Sequence, residues 1–495
     1  MAEASPRRRG DDPTRADAAS AASSRRSPDL VVLVATTAFA AVLRFAFLDQ
    51  QSFWFDEAVT VQLIEKSFTG MLAALPESES TPPLYYTLAW AWSRLFGDGE
   101  VGLRSLSALL GTATVPAAYA AARLLVSRRA ALAVAALVTC SPLLVWYSQE
   151  ARAYALLVFL STLSILALAS ALIRPSARAF GAWAAVAALA LASHYFAVFL
   201  IGAEAIAFVL AQRRRRAAWG AVGVVGVAGG ALLPLALHQE GGGRTEWIAA
   251  RPIRDRISET ARQFVTGEYA GPHGLGAVGG AIAVVLAAAG IVWLTQRERR
   301  GALLAIALGG AAVVAPLALA PIEDKFFYRN VLPAWVPLAV AWAAVVTSRR
   351  ARRLGLVALA AACAIQLGSL AMVLTRPMLQ RDDWRGATSA LGPSERARVI
   401  LTHPSYARVA VQAYRPGARA VPRAGAAVRE IVTLATGGWP HDLIPHGFER
   451  VEQRQIQKIV LSRYRAGASR ALTPARFTSG GAFGASDVLL DSPPR

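Results

Sequence analysis

An acidic pair flanked by aromatic residues is the first feature of this 495-residue chain that could do chemistry. Asp56 and Glu57 follow Trp54 and Phe55, just after the first long apolar segment. If that segment crosses a membrane, the pair lies at the membrane–water interface, where aromatic side chains anchor well. A carboxylate there can take a proton from the hydroxyl of an amphiphilic substrate. A solvated helix end is the alternative, and we predict Asp56 and Glu57 as catalytic residues.

Cationic side chains in two later segments are candidates for binding an anionic group. Arg152 lies in a polar stretch between two apolar runs, where a guanidinium can bind two phosphate oxygens or only extend toward water. Lys325 and Arg329 are one helical turn apart and can hold an anionic headgroup together, or only anchor the chain at the interface. We predict all three as phosphate-binding residues. Three other residues are candidates for positioning the substrate: Tyr85, Glu150 and His194.

Two patterns in the same region favour local structure instead of chemistry. Pro82 and Pro83 predict a rigid turn that starts the helix after it, since proline suits a first helical turn. Glu100 and Arg104 have the i,i+4 spacing of a local ion pair on one helix.

Composition indicates a membrane protein. Hydrophobic residues make up 55% of the chain and charged residues only 17%, which is too apolar for several soluble domains. The net charge of +20 comes from short arginine clusters between apolar runs, a pattern typical of cytoplasmic loops and not of a nucleic-acid-binding face.

The two cysteines, Cys140 and Cys363, lie in apolar runs, and we predict that they only pack against neighbouring side chains. Scarce histidine argues against a zinc site and leaves a carboxylate-held divalent cation open.

Apolar runs long enough for a bilayer of about 30 Å predict about eleven transmembrane helices. They fall at 30–48, 103–126, 130–147, 152–172, 178–193, 195–211, 217–238, 275–295, 302–321, 328–347 and 352–374. The shorter run 83–96 is assigned to an interfacial helix, because this places every arginine cluster in the cytoplasm. The prediction is a multi-pass protein of the cell (inner) membrane with a cytoplasmic N-terminus, and with the first outer loop and the C-terminal region exoplasmic.

Four parts are predicted along the chain. Residues 1–28 form a disordered cytoplasmic tail, 29–375 the transmembrane part, 376–472 a small exoplasmic α/β domain, and 473–495 a flexible tail. Within the α/β domain we expect strands at 399–401, 431–434 and 459–462, and a helix at 406–414.

Six motifs in order resemble the GT-C superfamily of integral-membrane glycosyltransferases, in the branch with protein O-mannosyltransferases and the lipid A aminoarabinose transferase. The motifs are Arg44-Phe45 to Asp49, Phe55 to Ala58, Thr81 to Tyr86, Phe96-Gly97 with Glu100 and Arg104, Ser148 to Tyr154, and Asp324 to Arg329. The resemblance implies an all-α GT-C fold, a sugar donor carried on a polyprenyl monophosphate, and a first-loop acid that Asp56 matches. At Thr81, relatives often carry His or Lys, so this chain leaves more of the phosphate binding to Arg152, Lys325 and Arg329.

These observations together predict a hexosyl- or pentosyltransferase acting at the exoplasmic face. Asp56 would assist a nucleophile of a glycolipid, polysaccharide or protein acceptor, which attacks the anomeric carbon with inversion and expels polyprenyl phosphate. No cofactor is required by this scheme, and a divalent cation is compatible with it. Partners would be the lipid-linked donor, the acceptor and membrane lipids. A lipid or polysaccharide transporter is the alternative, although the unwound charged mid-membrane segments of transporters are not apparent.

Overall fold

A computed structural model describes residues 28–268, 288–437, 439, 443–478 and 487–493. Residues 1–27 of the predicted N-terminal tail, most of the predicted span 275–295 and part of the predicted C-terminal tail lie outside these residues. The described chain is mostly helical up to residue 389 and contains one β-sheet after it.

In the described part of the chain, eleven helices lie in the stretches predicted to span the membrane. They are α1 (Pro28–Phe45), α5 (Glu100–Leu125), α6 (Arg128–Cys140), α7 (Pro142–Ser148), α8 (Tyr154–Ile173), α9 (Ala177–Ser193), α10 (Ala197–Gln212), α11 (Arg216–Glu240), α14 (Gln296–Leu319), α15 (Trp335–Val346) and α16 (Arg352–Thr375). Helices therefore occupy ten of the eleven predicted runs, and α6 and α7 together form one run with a bend of 58°.

Only some of these eleven helices are long and apolar enough to span a membrane. In the described part of the chain, α5, α8, α11, α14 and α16 do so, and the bent pair α6–α7 would make a sixth. Helices α9 and α10 are shorter and apolar, as is Leu332–Val346, which comprises a 3₁₀ turn and α15. The structure supports a multi-pass membrane protein, and the number of about eleven crossings stays a prediction.

Three helices lie between α1 and α5, in the segment that was predicted to be exoplasmic and that we call the first outer loop, and further short helices lie in later loops. The first-loop helices are α2 (Phe55–Ile64), α3 (Phe68–Ser78) and α4 (Leu84–Phe96), and α12 (Glu246–Ala249) and α13 (Ile253–Thr266) follow α11. Helix α4 buries Tyr85, Tyr86 and Ala89 and exposes Leu95 and Phe96. Such one-sided burial is typical of a helix that lies on a surface, and the interfacial placement of residues 83–96 stays a prediction.

The described residues of the C-terminal region contain a six-stranded sheet with the order β2-β6-β1-β3-β5-β4. The strands are β1 (Arg398–His403), β2 (Arg419–Ala420), β3 (Ala426–Thr436), β4 (Glu449–Ile456), β5 (Ile459–Leu472) and β6 (Leu489–Asp491). Strands β1 and β3 are parallel, and the other pairs are antiparallel. The helices are α17 (Trp384–Ser389), α18 (Arg408–Tyr414) and α19 (Ala475–Thr478).

The sequence prediction was incomplete in this region. The expected strands fall within β1, β3 and β5, and the expected helix at 406–414 is a 3₁₀ turn followed by α18. Strand β4 was missed because it is a charged edge strand with nearly every side chain exposed. Strand β6 lies inside the stretch predicted to be a flexible tail, yet it pairs with β1 and buries Leu489 completely.

The first-loop helix α2 packs into the core of this sheet domain. Ala58 is fully buried in one apolar cluster with Ile400, Ala410 and Leu434, which lie on β1, α18 and β3. Next to them, the ring of Phe55 lies 4.7 Å from that of Tyr406. The helix that carries Asp56 and Glu57 is therefore held between the membrane helices and the C-terminal domain.

Candidate active site

Glu57 lies in the first turn of α2 and is completely buried against Arg104. Its carboxylate accepts hydrogen bonds from Arg104 Nε at 2.7 Å, from Arg104 Nη2 at 2.6 Å and from the Ala151 backbone N–H at 2.8 Å. Arg104 also donates to the carbonyls of Leu48, Gln51 and Ser52, so all five of its N–H groups have acceptors. This geometry favours a structural role for Glu57 over a catalytic one.

The local ion pair predicted between Glu100 and Arg104 is wrong. Arg104 binds Glu57, while Glu100 accepts hydrogen bonds from Arg385 and from the Tyr414 hydroxyl. Arg104 pairs with Glu57 and not with its i,i+4 neighbour Glu100 because the buried carboxylate of Glu57 needs a complete set of hydrogen-bond donors. Glu100 instead reaches donors in the C-terminal domain.

Asp56 lies one position before Glu57 and faces a different cation. Its Oδ2 accepts a hydrogen bond from Arg329 Nη1 at 3.2 Å, and its side chain is 15% exposed. The Arg329 guanidinium also lies 5.2 Å from the ring centre of Trp247 and 5.9 Å from that of Tyr154. Of the predicted acidic pair, Asp56 is therefore the residue that is partly exposed. Arg329, which was predicted to bind phosphate, lies beside it.

A cavity of about 360 Å³ opens beside Arg329, and we call it the outer cavity. Its wall comes from the first outer loop, α7, the loop after α7, Glu268 after α13, the loop before α15, the segment 378–382 and the turn between β4 and β5. The lining residues with aromatic or charged side chains include Trp54, Trp146, Glu150, Arg329, Arg381 and Lys458. Two of the predicted site residues, Glu150 and Arg329, therefore share one cavity.

Glu150 contributes a buried carboxyl group to the outer cavity. Its Oε2 accepts a hydrogen bond from Arg381 Nη2 at 2.9 Å, and Oε1 has no hydrogen-bond partner among the described residues. Burial raises the pKa of Glu150 to about 7; Glu57 and Asp56 act in the same direction, and the Arg381 guanidinium opposes them. The group can therefore change its protonation state near neutral pH.

Arg152 and Lys325 are engaged with carboxylates and do not line the outer cavity. Arg152 binds Glu79 through two hydrogen bonds of 2.5 and 2.8 Å and donates a third to the Asp56 carbonyl at 3.2 Å. Lys325 contacts Glu240 and lies 3.3 Å from Glu323. Their predicted role in binding phosphate gains no support from this placement.

The two other predicted positioning residues are buried. Tyr85 is fully buried, with its ring edge-on to Tyr86 at 5.6 Å. His194 accepts a hydrogen bond from the Phe196 backbone N–H at 3.2 Å and is 4% exposed. Burial lowers the pKa of His194 to about 3, and the cations of Arg329 and Arg152 add to the effect, so its ring is neutral at physiological pH. Neither residue lines the outer cavity.

Two residues that line the outer cavity, Arg381 and Lys458, were not predicted from the sequence. Arg381 lies on the face of Trp146 at 4.3 Å, and the cluster of charges directly after the last apolar run was a usable signal for it. Lys458 had no such signal, because its position depends on how the sheet domain docks. Among the described residues, no group of three or more His, Cys, Asp or Glu side chains is arranged to hold a metal ion.

Comparisons with known proteins agree with the resemblance in the sequence. The family model of dolichyl-phosphate-mannose-protein mannosyltransferases matches residues 80–237. The fold is similar to the crystal structure of ArnT from Cupriavidus metallidurans in the apo state, with a TM-score of 0.56 and 14% identity over 88% of this chain and 98% of that one. ArnT from the same organism bound to undecaprenyl phosphate gives a TM-score of 0.54 and 13% identity over 87% and 97% of the two chains.

A search of curated protein sequences gives no match. The family match and the structural similarity together confirm the resemblance to GT-C superfamily membrane glycosyltransferases.

Proposed function

We propose that the protein transfers a sugar from a polyprenyl-phosphate donor to a cell-envelope acceptor at the exoplasmic face of the membrane. The observation that carries this proposal is the contact between Asp56 and Arg329, whose guanidinium lines the outer cavity while Asp56 lies behind it. It places a carboxylate and a cation side by side, and the fold is shared with a protein that was crystallised with undecaprenyl phosphate.

Arg329 is the best-placed group for the donor phosphate. It lines the outer cavity, and its ion pair with Asp56 is a single hydrogen bond of 3.2 Å, whereas Arg152 forms a shorter bidentate pair with Glu79. A guanidinium with N–H groups to spare can bind phosphate oxygens in a planar fork. We therefore assign binding of the donor phosphate to Arg329. Arg152 instead fixes the position of α2 by its hydrogen bond to the Asp56 carbonyl.

In the reaction, Asp56 accepts the proton of an acceptor hydroxyl. The hydroxyl oxygen forms a bond to the anomeric carbon as the bond from that carbon to the phosphate oxygen breaks, and polyprenyl phosphate leaves as an anion. Arg329 stabilises the negative charge that develops on the phosphate. When Arg329 turns toward the phosphate, its hydrogen bond to Asp56 is released, and the carboxylate oxygen is free to accept the proton of the acceptor hydroxyl.

The test begins with mass spectrometry of cell-envelope glycans and lipids with and without the gene, which names the sugar and the acceptor. The purified chain is then assayed with the corresponding polyprenyl-phosphate sugar. Because general base catalysis contributes about 10²–10⁴-fold, Asp56→Asn should reduce turnover by at least about 100-fold.

Asp98→Asn is the matched control, since Asp98 is an exposed carboxylate after α4, and it should retain wild-type turnover. Full turnover by Asp56→Asn would overturn the assignment of the base. Movement of the lipid in reconstituted vesicles without any change in its mass would contradict transfer altogether.

A further inference from the structure

The turn between β4 and β5 reaches from the C-terminal domain to the outer cavity. Its two residues, Gln457 and Lys458, both bind the segment that follows the last membrane helix. Gln457 Nε2 donates to the Pro377 carbonyl at 2.6 Å, and Lys458 Nζ donates to the Gln380 carbonyl. The turn is thereby fixed against the wall of the cavity, and Lys458 is part of that wall.

Lys458 differs from the two arginines of the outer cavity, Arg329 and Arg381, because it forms no hydrogen bond with a carboxylate in the described part of the chain. Arg329 is hydrogen-bonded to Asp56, and the buried Arg381 to the buried Glu150. For Lys458, the only carboxylate within 4 Å among the described residues is Asp382, at 3.7 Å, which is too far for a good hydrogen bond.

An ammonium group has three N–H donors, and a single one is used by the Gln380 carbonyl. Two donors therefore remain for a ligand, and the side chain is 29% exposed. An anion that binds here competes only with the long 3.7 Å contact to Asp382, whereas binding at Arg329 or Arg381 competes with a carboxylate that is hydrogen-bonded to the guanidinium.

We propose that Lys458 binds an oxyanion of a substrate in the outer cavity, so that the C-terminal domain supplies a substrate-binding residue. The proposal rests on the outer cavity being the substrate site of the proposed transfer. The oxyanion is the phosphate of the lipid-linked donor or an acidic group of the acceptor. In either case the C-terminal domain acts in the reaction and is more than an appended module.

The chain contains only three lysines, Lys66, Lys325 and Lys458, so an amine-reactive reagent can report on Lys458 directly. The full chain in detergent is labelled alone, with undecaprenyl phosphate, with undecaprenol, and with a uronic acid oligosaccharide, and each lysine is followed by mass spectrometry. At ten times its Kd, a ligand that covers Lys458 should slow its labelling about 11-fold. Lys66 is exposed in the first outer loop and should react at the same rate throughout.

Each result has a defined meaning. Protection by undecaprenyl phosphate and not by undecaprenol assigns Lys458 to the donor phosphate, and protection by the oligosaccharide assigns it to an acidic acceptor. Equal labelling of Lys458 under all four conditions overturns the proposal. Because labelling needs no turnover, this failure is distinguishable from the loss of the proposed base, which the Asp56→Asn assay reports.

Variants give a second readout on the same residue. Lys458→Met should raise the KM of the substrate that protects Lys458 by about 10-fold with little change in kcat, since it removes a contact made in the bound ground state. Lys458→Arg should restore most of the affinity. Arg454→Met on the exposed part of the same hairpin is the control and should leave KM unchanged. An unchanged KM in a folded Lys458→Met protein would also overturn the proposal.

Discussion

Replacement of Arg104 by methionine should detach the first outer loop from the membrane helices. The substitution keeps a long apolar side chain but removes five donated hydrogen bonds, two to the Glu57 carboxylate and three to backbone carbonyls. Both partners of the ion pair are buried, at 1% and 0% exposure. Removing one partner of such a pair costs about 3–5 kcal/mol, because the remaining charge is left buried and unpaired.

The three orphaned carbonyls add to this cost to the extent that water cannot reach them. We therefore expect Arg104→Met to lower the free energy of unfolding by at least about 3 kcal/mol. The assay is thermal unfolding of the detergent-solubilised protein followed by tryptophan fluorescence. Limited proteolysis should show new cleavage between residues 48 and 57, where the three carbonyls and Glu57 lie.

Two further variants separate the ion pair from general damage to α5. Arg123→Met changes an exposed arginine on the same helix and should unfold like the wild type. The double variant Arg104→Met/Glu57→Gln should be more stable than Arg104→Met alone, because it leaves no buried charge without a partner. Wild-type stability of Arg104→Met, or a double variant less stable than the single one, would refute the reasoning.

Two other predictions concern titration and packing. Since burial raises the pKa of Glu150 to about 7, the folded protein binds more protons than the unfolded chain between about pH 4.5 and 7. Wild-type stability should therefore fall, relative to Glu150→Gln, as the pH rises through this window; parallel pH–stability curves from thermal scans would contradict the shift. On α14, a Cβ at Gly301 would lie 1.8 Å from the Leu125 carbonyl, so Gly301→Ala should destabilise the protein by about 1–3 kcal/mol. Gly310→Ala on the same helix meets no atom within 4 Å and should be neutral in the same thermal scan.

The sequence predicted most of the helices because their signal is local. Length and apolarity of a run are enough to mark a helix such as α8 or α11, whatever it packs against. Strand β6 shows the limit of this reasoning. Its three residues become a strand because β1 and β2, some seventy to ninety positions earlier in the chain, pair with them on either side, and a three-residue apolar stretch carries no such information.

Part of the candidate site was predictable from the types and positions of single residues, and its ion pairs were not. Asp56, Glu150 and Arg329 were all selected from their types and positions, and the latter two line one cavity. The ion-pair partners were not predictable, because Arg104 reaches back 47 positions to Glu57 and Arg152 reaches back 73 to Glu79. A long guanidinium side chain can satisfy many distant carboxylates, and only the packed structure selects one.

The packing of α2 into the sheet domain also has a consequence for the order in which the protein is made. Phe55 leaves the ribosome about 350 residues before its partner Tyr406. At ~5–20 residues per second, this interval lasts roughly 20–70 s. During that time the apolar outer face of α2 has no sheet to cover it, although the helix already carries the acidic pair. The nascent membrane bundle therefore lacks part of the candidate active site until the last quarter of the chain is synthesised, and assembly of this site finishes with the C-terminal domain.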